Sequence, residues 1–227
     1  MLTVSNELNN AFMNPERTIY VRIKIGNRIF DNDNVVSVEY DSGSLSGEVF
    51  AIGSTYSNSI KITFSELIEG LKELDEVSYE IGIKLSSGAI EYVPMGVFVI
   101  NDAIGMDRNN NKTTIECMDK IVMMGGTYVS SLTYPAAIRE VALEIANKAG
   151  VVVDSTSFAR LSADNIAKPE GYTYREAIGL IAQFEAGFAI FNRYGKLEIR
   201  TLSDPNFAIP PDNYFSKGLV KNEVFFV

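Results

Sequence analysis

Thr18-Ile19-Tyr20-Val21-Arg22-Ile23-Lys24-Ile25 places Ile19, Val21, Ile23 and Ile25 on one face of an extended chain and Arg22 and Lys24 on the other. Side chains that alternate with a period of two mark a half-buried β-strand. Gly26-Asn27 then turns the chain into Arg28-Ile29-Phe30. Working outward, residues 35–40, 59–64, 77–85 and 90–100 repeat the signal with Val, Ile, Tyr and Phe, the residue types that suit a pleated surface. Ser86-Ser87-Gly88 and Arg108-Asn109-Asn110-Asn111 read as the turns between strands. Many short strands separated by turns predict an antiparallel β-barrel or sandwich over residues 1–120. Within it, Leu67, Ile68, Leu71 and Leu74 of the segment 65–76 fall at helical spacing and predict a short helix on the barrel's flank.

Beyond residue 120 the period changes. Ile138, Val141, Ala142, Ile145 and Ala146 form one apolar face of an amphipathic helix, with Pro135 expected in its first turn and Gly150 just past its end. Thr173-Tyr174-Arg175-Glu176 opens a second helix with the spacing of a capping box, in which the Thr hydroxyl and Glu carboxylate satisfy backbone N–H groups reciprocally. Ala177, Ile178, Ile181, Ala182 and Phe184 are its expected inner face, and Gly187 its stop. Residues 188–191 and 196–201 predict a hairpin around Tyr194-Gly195. The expected second domain, 121–227, is therefore α+β. It ends on an apolar strand, residues 219–227, that must pair with the barrel or with a neighbouring chain, or else continue in a longer protein.

Composition removes much of enzymology. The 227 residues contain no His, so Ser-His-Asp and Cys-His machinery and His-based zinc sites are unavailable. The one Cys, Cys117, lies in the strand-like run Thr113-Thr114-Ile115-Glu116-Cys117-Met118-Asp119-Lys120 and reads as a small buried hydrophobe rather than a nucleophile. A single Cys forms no intrachain disulfide, which is compatible with folding in a reducing cytoplasm. Trp is absent as well, which removes a favoured sugar platform. With 29 acids, a catalytic carboxylate pair is chemically available, but no spacing marks one. The net charge of −9 opposes adhesion to nucleic acid, whose phosphates require clustered Lys and Arg, and serves solubility. No run of apolar residues approaches the roughly 20 needed to span a bilayer, and the N-terminus lacks a basic, then apolar leader. No membrane association, cofactor, metal site or catalytic residue is expected.

Other motifs yield to plainer readings. Asp31-Asn32-Asp33-Asn34 begins like a calcium loop, but Val35 and Val36 occupy the next positions and break the ligand pattern, so a solvated turn is expected. Neither Gly47…Gly53 nor Gly125-Gly126 is followed by Lys-Ser/Thr as a phosphate loop requires; strand ends or bulges explain them. The acids Glu66, Glu69, Glu73, Asp75 and Glu76 read as a solvated face. The 11 Tyr and 13 Phe belong mostly to the core of a β-rich protein.

Two segments resemble a known family. The first runs from Thr113-Thr114-Ile115-Glu116-Cys117-Met118-Asp119-Lys120-Ile121 through Ser131-Leu132-Thr133-Tyr134-Pro135 to Ala149-Gly150-Val151. The second comprises Tyr172-Thr173-Tyr174-Arg175-Glu176-Ala177-Ile178, Ala186-Gly187-Phe188-Ala189-Ile190-Phe191 and Tyr194-Gly195-Lys196-Leu197-Glu198-Ile199. Together with Pro94-Met95-Gly96-Val97-Phe98 in the barrel half, they resemble the tail-hub (baseplate-hub) proteins of phages and prophages of Gram-positive bacteria. These motifs are structural, so no active-site residue comes with them. The resemblance implies an antiparallel β-barrel of tail-tube type beside a smaller α+β domain with two helices. It also implies a non-enzymatic role as a homotrimeric ring at the virion tail tip, assembled in the host cytoplasm. The implied neighbours are the distal tail protein and the tape-measure protein, with receptor-binding or lytic components as further candidates. Members of the family are commonly longer, so this chain reads as a minimal hub or a piece of a larger one. The competing expectation is a β-rich adhesion or carbohydrate-binding module, which would expose aromatic residues together on one face.

Overall fold

The computed structural model describes residues 4–43 and 51–201; Gly47 and the predicted strand at 219–227 lie outside the described residues. In chain order these residues form α1 (Asn6–Met13), β1 (Ile19–Ile25), β2 (Arg28–Phe30), β3 (Val35–Ser42), β4 (Thr55–Tyr56), β5 (Asn58–Phe64), β6 (Glu76–Lys84), β7 (Ile90–Ile100), β8 (Gly105–Asp107) and β9 (Lys112–Asp119). A 3-10 helix (Lys120–Gly125) leads into β10 (Ala136–Ala137), α2 (Ile138–Ala149), α3 (Ser155–Ala159), β11 (Asn165–Ile166), α4 (Tyr174–Phe184), β12 (Gly187–Phe191) and β13 (Leu197–Thr201). The protein is thus α+β with mostly antiparallel pairing, as the alternation predicts.

The first sheet has the strand order β2-β1-β6-β7-β9-β5-β3, with β8 also on β9. It rolls on itself. Phe30 of β2 meets Phe64 of β5 with ring centroids 4.8 Å apart, although their strands lie near opposite ends of the strand order. The Asn32 amide reaches back to β1, accepting from the Val21 N–H at 2.7 Å and donating to the Ile19 carbonyl at 3.2 Å. Its inside is filled by Ile23, Ile25, Phe30, Ile60, Ile62, Phe64, Val77, Tyr79, Phe98, Ile100, Ile115 and Cys117. No ladder joins β2 to β3 among the described residues, so the pairing path is a rolled open sheet.

The second core gathers residues between Ile121 and Ile199: α2 and α4 pack over a three-stranded sheet of order β13-β12-β4. Strand β4 belongs by sequence to the first half, yet it pairs in parallel with β12, Thr55 opposite Ala189 and Tyr56 opposite Ile190. The fit is close: a β-carbon on Gly179 of α4 would lie 2.6 Å from the Gly53 carbonyl, so only glycine lets the backbones approach this far. Each large aliphatic side chain fully buried here contributes about 1.5–3 kcal/mol, and Ile138, Ile145, Ile178 and Ile181 all qualify.

Five local expectations need correction. Segment 65–76 is a series of turns rather than a helix. Gly70 and Leu74 take left-handed φ of 81° and 66°, and Asp75 accepts from the Lys72 N–H at 2.8 Å, an Asx-type alternative to helical bonding. Ile68 is buried there while Leu74 is 55% exposed, so the apolar spacing marked no common face. Pro135 does not sit in the first turn of α2: β10 pairs with β11 in between, and the helix opens at Ile138, whose N–H donates to the Asp164 carbonyl. At the other end Gly150 does cap α2, with φ 71° and its N–H on the Ala146 carbonyl. Helix α4 stops before Gly187, with Ala186 taking the left-handed φ of 51° and Gly187 already in β12. Phe184 is 64% exposed, outside the inner face that Ala177, Ile178, Ile181 and Ala182 form. On β1, likewise, Ile19 is 48% exposed, while Ile23 and Ile25 are buried in the interior and Val21 packs against it.

The capping box at α4 is present: the Thr173 Oγ1 accepts from the Glu176 N–H at 3.2 Å, and the Glu176 carboxylate accepts from the Thr173 N–H at 2.8 Å. Replacing Thr173 by Ala is expected to lower stability by about 0.5–2 kcal/mol, and by Gly less. Urea unfolding measures both, and equal, negligible losses would contradict a cap at this position.

Candidate functional site

Two clusters of buried or half-buried polar side chains stand out among the described residues, one around Glu144 and one around Asp119. Among the described residues no three His, Cys, Asp or Glu side chains cluster as metal ligands. At Asp31-Asn32-Asp33-Asn34 three of the side chains are engaged by the chain itself: Asp31 accepts from the Asp33 N–H, Asn32 holds β1, and Asn34 donates to Glu66. Cys117 is 1% exposed, and burial pushes its thiol up to about 12, so it remains a protonated core group. Gly53 and Gly125-Gly126 sit in a turn and at the end of the 3-10 helix, with no lysine positioned as in a phosphate loop.

The first polar group surrounds Glu144 on the outer flank of α2. Its carboxylate accepts from the Tyr128 hydroxyl at 2.7 Å, the Ser130 hydroxyl at 2.5 Å and the Ser131 N–H at 2.8 Å, while Lys148 lies one turn on at 3.2 Å. Burial pushes this carboxyl up, but the hydrogen bonds from Ser130, Tyr128, Ser131 and Lys148 outweigh burial and hold it at about 2. Burial likewise drives the Tyr128 hydroxyl well above the ordinary tyrosine range. Lys148 also donates to the Ser131 Oγ at 2.6 Å and to the Val129 carbonyl at 2.6 Å. A serine beside a lysine can serve as nucleophile and base only if the amine is neutral. Here the amine is paired with a carboxylate, so the arrangement fastens segment 128–134 onto α2.

The second group lies where the two cores meet. Asp119 ends β9, is 2% exposed, and accepts from the Asn58 N–H at 2.7 Å, the Asn58 amide at 3.2 Å, the Ser57 hydroxyl at 3.4 Å and the Ile121 N–H at 3.2 Å. Burial pushes its carboxyl up to about 6 despite these donors. It borders a cleft of about 270 Å³ shared with Tyr40, Met95, Phe98, Arg193 and Arg200. Across the cleft, the Arg193 guanidinium donates to the Pro94 carbonyl at 3.3 Å, where the β6–β7 register slips by one residue. The sequence places Asp119 within the strand-like run 113–120, and its burial is an addition of the structure. The signal was there in parity, because Thr113, Ile115, Cys117 and Asp119 form one inward file. Glu144 has no such signal, since it borders the apolar face of α2 and its partners come from a loop.

The exposed aromatics do not share a face. Phe12, Tyr40, Tyr172, Phe184 and Tyr194 come from α1, β3, the approach to α4, α4 itself and the β12–β13 turn. The outer surface of β3, β5 and β9 is polar instead. Glu39, Lys61 and Glu116 lie in register there, Lys61 on Glu116 at 2.7 Å, and Asp41 and Asp102 line the same hollow. None of the helices among the described residues is long and apolar enough to cross a membrane.

No protein-family model matches the sequence, and no curated protein matches it. By structure the chain is similar to the 43 kDa tail protein of prophage MuSo2 from Shewanella oneidensis, with a TM-score of 0.51 and 14% identity, covering 82% of this chain and 56% of that one. It is also similar to a chain in the PdpA–VgrG complex of Francisella, with a TM-score of 0.50 and 10% identity, covering 85% of this chain and 34% of that one. The chain therefore spans about half the length of the first and about a third of the second. Identities this low establish a shared fold.

At pH 7, Glu144→Gln is expected to lower stability by about 1–3 kcal/mol, because an amide cannot accept from all of these donors. The carboxyl is depressed in the folded state from 4.5 to about 2, so its contribution is complete above pH 4.5 and is lost as pH falls through 2. Urea unfolding of both proteins at stepped pH checks this; a difference that stays constant down to pH 2 would contradict it.

Proposed function

We propose that this chain is a structural subunit of a bacteriophage or prophage tail, placed at the hub that closes the distal end of the tail tube. The observation that supports this most directly is the shared fold with a prophage tail protein, reached at 14% identity over 82% of the chain. A fold alone does not specify function, so the chemistry of the chain matters as well. Its capable side chains are engaged in holding loops and the joint between cores, which suits a building block. In this reading the rolled sheet serves as a tail-tube-type barrel, closed across the β2 and β3 edges, and copies join as a trimeric ring. Unpaired strand edges favour such closure, since a cyclic assembly satisfies backbone groups that a monomer leaves bare. The distal tail protein and the tape-measure protein are the partners this role requires.

The net charge of −9 then acquires a use. The hollow lined by Glu39, Asp41, Asp102 and Glu116, with Lys61 as its one cation among the described residues, carries net negative charge that would repel phosphate, and a wall that repels phosphate lets DNA slide past. The adhesion alternative would be favoured by clustered exposed aromatics, and those of the described residues are dispersed.

Light scattering on the purified chain is expected to report about three times the 25.0 kDa of the monomer, either alone or once the distal tail protein is added. A monomer under both conditions at low salt would refute the ring. Incubation with purified bacterial cell walls is expected to release neither sugars nor amines; clearance abolished by changing a single acid would make the chain an enzyme instead.

A further inference from the structure

The chain passes between the cores at two places within the described residues. From β4, which lies in the second sheet, it crosses through Ser57 to β5 in the first. From β9 it crosses through Lys120 to Ile121, which belongs to the second core. One side chain fastens both crossings. Asp119 accepts from Ser57 and Asn58 on the first and from Ile121 on the second, and Asn58 in turn accepts from the Ser42 hydroxyl at 2.9 Å.

The surroundings make this fastener unusual. A carboxylate that is 2% exposed normally has a cation beside it, because desolvating an unpaired charge is costly. The charged and titratable groups near Asp119 are Tyr40 on β3, Arg193 at the β12–β13 turn, Arg200 on β13 and Lys120, its neighbour in the chain. Each cation is engaged elsewhere. Arg193 donates to the Pro94 carbonyl, Arg200 pairs with Glu198 at 3.0 Å, and Lys120 pairs with Glu76 of β6 at 2.7 Å. Tyr40 is itself pushed above the ordinary tyrosine range by burial, so it stays neutral and adds no charge beside the carboxylate. Asp119 thus holds four hydrogen bonds from neutral donors and no ion pair among the described residues.

We infer that the joint between the two cores is a proton-responsive latch, with the buried Asp119 carboxylate as its titrating group. Ionised, Asp119 gains hydration when the joint opens; protonated, it loses that incentive, so acid favours the closed joint and neutral pH loosens it. The direction follows from linkage: a carboxyl at about 6 when closed and at its ordinary 3.8 when exposed binds its proton more tightly in the closed state. Closed-state stability from this group is complete below 3.8 and is lost as pH rises through 6.

Hydrogen exchange at the Asn58 and Ile121 amides, corrected for the intrinsic pH dependence of exchange, reads the latch in the full chain. Between pH 5 and 7 the opening constant is expected to rise on the order of tenfold, and Asp119→Asn, which cannot titrate, should abolish that rise. Carbon-detected NMR titration of Asp119 in the unaltered protein gives a reading that does not depend on the variant folding. A midpoint above about 5 supports the latch. A midpoint at or below that value, or a pH dependence that persists in Asp119→Asn, overturns it.

Discussion

Strand β9 makes ladders with three other strands: with β5 from Ser59 opposite Met118 to Phe64 opposite Thr113, and on its other side with β7 at one end and β8 at the other. Its inward file runs Thr113, Ile115, Cys117, Asp119, two apolar residues between two buried polar ones. Each polar end is satisfied in a different way. The Thr113 hydroxyl accepts from the Ile68 N–H at 2.9 Å and donates to the Glu66 carbonyl at 2.8 Å, which holds the turns of segment 65–75 across that end of the rolled sheet. Asp119 closes the opposite end and starts the passage to the second core. A one-residue slip of β9 would turn all four outward and expose both ends together, so the register of this strand sets the rest.

Much of this was legible in sequence wherever neighbours in the chain are also neighbours in space. Alternation at β1, β5, β7 and β9 needs only the pleat, and the Thr173–Glu176 box needs only one turn of helix. Expectations failed where a distant contact overrode a local pattern. Leu67, Ile68, Leu71 and Leu74 have helical spacing, but the segment is tied down by Thr113 and by Arg28, whose guanidinium donates to the Glu69 carbonyl. Pro135 has the local credentials of a first-turn residue, but the β10–β11 pair takes the positions that follow. Strand β4 is two residues long, too short for any periodicity to register, and its place is set by β12 far along the chain.

The candidate site was less legible still, for the same reason. No residue within four positions of Asp119 announces that Ser57 and Asn58 will donate to it, and Glu144 depends on a loop more than ten residues upstream. What composition did convey was negative in kind. Zero His and a single buried Cys leave carboxylates, hydroxyls and amines as the working chemistry, and at Glu144 and Asp119 such groups fasten separate segments of the chain.

The borrowing of β4 by the second sheet also bears on how the chain comes to be folded. Thr55 must wait for Ala189, about 130 residues later, before its ladder can form, and at roughly 5–20 residues per second a ribosome needs on the order of ten seconds to deliver that partner. During that interval the first sheet can roll up from contacts already made, while β4 stays without its permanent neighbour. Loop closure over such a separation is slow and contributes little until the α4 face is ready to receive it. On this order of synthesis the second sheet is completed last, and the two residues of β4 take their places only then. A polypeptide released early from the ribosome would keep a rolled sheet but lack the seam that joins it to the rest.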